Sequence, residues 1–246
     1  SALGLIAAHL ETTQAGKLPA LSAPRRAGEA DVMVIDPATR TSLEIEKTTT
    51  GSRDGSLLAA IYRTVTAPGC DTRFKALVDG VEKLQLELCA GVKPGIPFGQ
   101  LHHQAHLKIA ALLQAAGILK ADAEESVAKG FSRPFLPHGL GHHLGIQVHD
   151  VGGRQAGPDG SFQAPPPEYP SLRTTRTMEP RQVLTIEPGL YFIPMLLRPF
   201  REGEHAGRFD WKLIDELIPF GGIRIEDDVL VTTGEPRNFT RVHLPD

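Results

Sequence analysis

Residues 138–153 read HGLGHHLGIQVHDVGG, with His138, His142 and His149 recurring at intervals of four and seven residues among glycines. A hydrophobic core has no use for that pattern. Imidazole near neutral pH is a metal ligand and a proton carrier, and glycine allows close backbone approach and φ values that other residues resist. Gly139, Gly141 and Gly145 argue against a helix here and for a strand-and-loop segment. The stretch predicts a metal-and-proton site, with a His-rich surface loop as the bland alternative.

The bulk properties set wide bounds. A chain of 246 residues accommodates one large domain, or a small domain attached to a larger one. A formal charge of −3 gives no electrostatic ground for binding nucleic acid or an anionic membrane. No apolar run approaches the roughly 18 residues of a membrane span, and no basic segment followed by an apolar one marks a signal peptide. Cys70 and Cys89 lie 19 apart without CxxC spacing and read as two reduced thiols in a cytoplasmic protein. The chain starts at Ser1 without an initiator methionine, so a processed, tagged or incomplete polypeptide is expected.

Moving towards the N-terminus, Phe74, Leu77, Val78, Val81, Leu84 and Leu88 form one helical stripe. Asp71 is its expected N-cap, and Gly91 with Pro94 its stop. A second helix carries Leu101, Leu107, Ile109, Leu112 and Leu113, with His102, His103 and His106 expected on its surface rather than in a metal site. Asp122 and Glu125 have capping-box spacing for a third, short helix. Residues 1–60 read weakly: a short amphipathic helix over Leu3–Gln14, and apolar runs at Val32–Ile35 and Leu57–Ile61 compatible with strands. Towards the C-terminus, Val183–Glu187 reads as a strand stopped by Pro188-Gly189, Asp210–Leu217 as a short helix, and Gly222–Val231 as an alternating strand. Helices early and strands late imply an α+β class.

Glu187 ends an otherwise apolar strand, where a carboxylate buried without a partner is costly. Glu226 poses the same problem. Period-2 geometry puts Arg224, Glu226 and Asp228 on one face and Ile223, Ile225 and Asp227 on the other, so an ion pair between Arg224 and Glu226, or to another segment, is the simple reading. Two strand carboxylates together with a three-histidine loop point instead to a metal site. One imidazole with two carboxylates suits Mn, Fe, Co or Zn, and spacing does not choose among them.

Three motifs, HGLGHHLGIQVHDVGG, LRTTRTMEPRQVLTIEPGLYFI and PFGGIRIEDDVLV, resemble in order and spacing the prolidase (Xaa-Pro dipeptidase) branch of the pita-bread metallopeptidases. The bacterial prolidases that also hydrolyse organophosphates are the most similar. The resemblance covers about residues 61–246. It implies a pita-bread catalytic domain there, with residues 1–60 a remnant of an N-terminal domain that has lost sequence. It further implies a homodimer and two divalent ions per site, manganese foremost, with Zn or Co as substitutes. His142, Glu187 and Glu226 match three of the family's five metal ligands, and Glu187 also matches its general base. His138 and His149 match histidines that stabilise the substrate carbonyl and the tetrahedral intermediate. Arg173 and Arg224 match arginines that hold the carboxylate of a C-terminal proline. The implied reaction is hydrolysis of Xaa-Pro dipeptides, with organophosphates as a side activity.

The other two family ligands are aspartates eleven residues apart. Aligning Ile61, Arg63 and Thr64 puts Ala60 where the second belongs, and Thr49 lies eleven residues before it. Asp36 sits in a superficially similar Val-Ile-Asp context, but Lys47 then falls at the second position. Asp54 has no motif around it. Two expectations compete: a chain that lacks intervening sequence, or a metal-poor, non-catalytic homologue that binds proline-ended peptides.

Overall fold

The computed structural model describes residues 31–34, 43–48, 60–66, 69–156 and 159–243. The helix expected over Leu3–Gln14, the positions Asp36, Thr49 and Asp54, and the first part of the Leu57–Ile61 run lie outside the described residues. Seven strands are described: β1 (Asp31–Val34), β2 (Leu43–Thr48), β3 (Ala60–Val65), β4 (Val183–Ile186), β5 (Gly189–Tyr191), β6 (Gly222–Leu230) and β7 (Arg237–Asn238). They make one antiparallel sheet in the order β1-β2-β3-β6-β4, with β5 and β7 also on β6. The sheet therefore runs through residue 60, and β6 is its hub.

Helices α1 (Thr72–Ala90) and α2 (Phe98–Ala115) follow the first hairpin strands. The expected stripe of α1 is buried whole, and its Gln85 Nε2 donates to the Ile186 carbonyl of β4 at 3.2 Å. Asp71 caps α1 by accepting from Arg73 N at 2.7 Å. Asp122 caps α3 (Ala123–Ala128) by accepting from Glu125 N at 2.8 Å, as capping-box spacing requires. Asp210 likewise caps α5 (Trp211–Leu217). Helix α4 (Pro194–Glu202) is not announced by the sequence, because Pro199 lies inside it, where proline usually breaks a helix. A five-residue α6 (Phe239–His243) follows β7.

Helix α2 corrects one expectation. His102 and His106 are buried, in line with Leu101, Ala105, Ile109 and Leu113, while Leu107 is half-buried. The two imidazoles are 4.7 Å apart edge to face, and both pack on the ring of Tyr169. Burial drives their pKa down to about 2 and about 3, so they pack as neutral aromatics. Counting histidine as polar misses this.

Behind the sheet, on the face opposite Glu226, Asp227 is fully buried and pairs with Arg63 and with Arg241, whose Nε donates at 2.8 Å. Asn238 adds a 2.7 Å hydrogen bond. This cluster ties β3, β6 and α6 together. Cys70 and Cys89 are free thiols, as expected, and no helix among the described residues is long and apolar enough to cross a membrane.

Candidate metal centre

The antiparallel ladder brings the two glutamates together. β4 pairs with β6 at Thr185–Asp228 and Ile186–Asp227. One step further the register carries Glu187 to Glu226, on the face that also holds Arg224. The histidine segment then runs along the free side of β4: Thr185 N donates to His142 O at 2.9 Å, and Glu187 N to Leu140 O at 2.8 Å. As the glycines require, no helix forms over residues 138–149. Gly141 is the reason the segment lies so close, since a Cβ there would sit 1.9 Å from the Thr185 carbonyl oxygen.

His142, Glu187 and Glu226, all buried, thus offer ligand atoms within 4.8 Å of one another, the one such grouping among the described residues. The proton inventory shows what they fit. His142 Nδ1 lies 3.1 Å from the His143 carbonyl, which only accepts, so Nδ1 carries the proton. Burial lowers the His142 pKa to about 4, so the ring is neutral near pH 7 and Nε2 bears a lone pair. That lone pair faces Glu187 Oε1 at 3.5 Å. Two facing acceptors, His142 Nε2 and Glu187 Oε1, with the second carboxylate of Glu226 converging on the same buried point, are the arrangement a cation satisfies. The residues fit a divalent ion.

Glu187 is held on both sides. Its Oε1 accepts from Thr185 Oγ1 at 3.2 Å and its Oε2 from Arg224 Nη1 at 2.6 Å. Burial raises its pKa, opposed chiefly by the Arg224 charge. Arg224 also donates from Nε to the Tyr191 hydroxyl at 2.8 Å, and that hydroxyl lies 3.1 Å from His138 Nε2. His138 Nδ1 contacts the Gly139 carbonyl at 2.8 Å, so Nδ1 is the donor and Nε2 accepts from Tyr191. The proton order is therefore Arg224 to Tyr191 to His138. The sequence reading missed Tyr191. Its signal is the glycine pair around it, for a Cβ on Gly189 or on Gly222 would come within 2.3 Å of its ring.

The remaining site candidates lie at the rim. His149 is exposed, its ring 4.4 Å from that of His142. Arg173 is exposed, and its charge acts on His142, His149 and Glu187. A cavity of about 300 Å³ opens beside His138, walled by His102, His106, Tyr169, Leu196 and Phe200.

His142, beside the sheet, and Glu187 and Glu226 on it form a group that could hold a divalent metal ion. The chain belongs to metallopeptidase family M24, whose model matches residues 47–233. It is 47% identical over 196 residues to an Xaa-Pro dipeptidase of Proteus mirabilis, covering 79% of this chain and 44% of that protein. It is 50% identical over 192 residues to one of Marinobacter nauticus, covering 78% and 43%. The solved proline aminopeptidase P II of Yersinia pestis superposes with a TM-score of 0.57 at 29% identity, covering 83% of this chain and 39% of that one. Aminopeptidase P of Escherichia coli, solved with the inhibitor Pro-Leu, gives 0.56 at 28% identity, covering 82% and 38%. The expected α+β pita-bread architecture is borne out, although this chain spans less than half the length of these relatives.

Proposed function

We propose that the chain carries the centre of a metal-dependent dipeptidase that hydrolyses Xaa-Pro dipeptides bearing a free C-terminal carboxylate. The observation that carries this reading is the convergence of His142, Glu187 and Glu226 from three separate segments on one buried point. The two Xaa-Pro dipeptidases similar to most of the chain support the substrate class. His142, Glu187 and Glu226 would hold the ion, and manganese is the one the resemblance implies. When bound, it acidifies a water and polarises the scissile carbonyl.

The chain's own residues supply the rest. Glu187 Oε1 takes the proton of the attacking water. Its raised pKa brings it towards the range in which a base works near neutrality, and Arg224 on Oε2 keeps it ionised. His149, exposed at the rim, stands to donate to the carbonyl oxygen, and His138, its ring fixed by the Gly139 carbonyl and the Tyr191 hydroxyl, helps to shape the substrate side of the centre. The resemblance gives both arginines the substrate carboxylate. Arg224 is engaged by Glu187 and Tyr191, so Arg173, open to solvent, is the guanidinium we assign to it. Hydrolysis of organophosphate esters, which the resemblance also implies, is proposed as a side activity of the same centre.

The test is release of proline from an Xaa-Pro dipeptide by the Mn-loaded chain. Release is expected, and loss on chelation should be complete. Arg173→Ala should raise KM for the dipeptide by about 10- to 100-fold, the worth of one charge-assisted hydrogen bond. It should leave a C-terminally amidated analogue nearly unchanged. Equal losses on both would contradict the carboxylate role. No release from a metal-loaded chain would favour the non-catalytic, peptide-binding reading.

A further inference from the structure

Two of the three ligand residues meet at one buried hydroxyl. Thr185 is fully buried on β4, where the histidine segment runs along the strand. We propose that Thr185 is a positioning residue of the metal centre: its hydroxyl ties His142 to Glu187 and turns Glu187 Oε1 towards the ion. This rests on the metal reading proposed above.

The proton inventory of that hydroxyl is the first ground. A threonine hydroxyl has one proton to give and lone pairs with which to accept. The His142 backbone N donates to Thr185 Oγ1 at 3.0 Å, which uses a lone pair and leaves the proton available. Thr185 Oγ1 then donates to Glu187 Oε1 at 3.2 Å. An ionised carboxylate only accepts, so the order His142 N to Thr185 Oγ1 to Glu187 Oε1 has one direction.

The second ground is what this order does to Glu187. Its Oε2 accepts from Arg224 Nη1 at 2.6 Å. The last torsion of a glutamate is broad, and a guanidinium favours taking both oxygens of a carboxylate. The hydroxyl opposes that rotation and keeps Oε1 3.5 Å from His142 Nε2. Thr185 thus divides the carboxylate, one oxygen for the ion and one for Arg224.

The third ground is the fit of the backbone. Thr185 N donates to His142 O at 2.9 Å, so one residue engages both backbone polar groups of the histidine ligand. A Cβ on Gly141 would lie 1.9 Å from the Thr185 carbonyl oxygen and 3.0 Å from Oγ1, so only glycine there lets the hydroxyl come this close. Thr174, equally buried, offers the contrast: its hydroxyl donates to the Gly141 carbonyl at 3.5 Å.

The test measures Mn2+ affinity on the metal-free chain, by calorimetry and by the electron paramagnetic resonance signal of unbound Mn2+. Thr185→Val keeps the branched shape and removes the hydroxyl, and its dissociation constant for Mn2+ should rise by about 10- to 100-fold, the usual cost of losing a partner of a metal ligand. Thr185→Ser, which returns the hydroxyl, and Thr174→Val, which removes the neighbouring one, should both stay within about threefold of wild type. With Mn2+ saturating, Thr185→Val should still lower kcat on an Xaa-Pro dipeptide by about tenfold at nearly unchanged KM, because a misaligned base persists once the ion is bound. Wild-type affinity in Thr185→Val, or a loss in Thr185→Ser as large as in the valine variant, would overturn the role of the hydroxyl and leave the metal centre standing. An equal loss in Thr174→Val would trace the effect to packing and overturn it as well. Failure of the wild-type chain to bind Mn2+ would overturn both this role and the metal reading. Should Thr185→Val not fold by circular dichroism, Thr185→Ala, which adds no bulk, takes its place with the same expectation, and Thr185→Ser decides in either case.

Discussion

Glu187→Gln should reduce turnover of an Xaa-Pro dipeptide by roughly 10³-fold or more, within the range of lost general-base catalysis and before any loss of the ion is counted. The substitution keeps the shape of the side chain and its contact with Thr185, and removes the charge. Two consequences follow from the geometry. Oε1, the oxygen facing His142 Nε2, no longer carries the charge that attracts a cation. Arg224 loses the carboxylate it donates to at 2.6 Å and retains only Tyr191 of that pair. Metal affinity and turnover should therefore fall together, with circular dichroism unchanged. Steady-state kinetics at several manganese concentrations separates the two losses, because added metal restores occupancy and not the base. Activity within about tenfold of wild type would contradict the role given to Glu187.

The second large effect lies on the other face of β6. Asp227→Asn should destabilise the chain by about 3 kcal/mol, the low end for breaking a buried pair, because Arg63 and Arg241 keep some solvent contact. For a chain of this size that is a fall in Tm of roughly 10 °C. The cost comes from two guanidinium groups left facing a neutral amide. The pH dependence has a definite sign. Burial pushes the Asp227 pKa up, but the Arg63 charge and the hydrogen bonds from Arg241 and Asn238 outweigh it, so the native pKa lies below the ordinary value. Its stabilisation is complete above the unfolded pKa of about 3.9 and disappears as pH falls through the lowered native value. Thermal melts at neutral and acidic pH should show wild type and variant far apart at neutral pH and converging in acid. A constant gap would contradict the assignment.

The sequence disclosed whatever depends on local period. The stripe of α1 and the sharing of one face of β6 by Arg224 and Glu226 follow from repeats of 3.6 and 2, and the caps at Asp71 and Asp122 from local capping chemistry. The glycines around His142 correctly excluded a helix. What the sequence concealed depends on partners distant along the chain. Arg63 meets Asp227 across 164 positions, and Tyr191 meets His138 across 53. No periodicity reports such a contact. His102 and His106 were misread for another reason: a neutral imidazole stacked on Tyr169 behaves as an aromatic core residue, which a polar label hides. Arg224 was legible as a site residue, yet its grip on Glu187 emerges only once β4 and β6 are set in register.

The central claim is that His142, Glu187 and Glu226 form one ligand set. Anomalous diffraction at the manganese edge, from crystals of the Mn-loaded chain, tests it most directly. The predicted result is a peak bounded by His142 Nε2 and a carboxylate oxygen of each glutamate. A peak bounded by other residues, or none at full manganese loading, would contradict it.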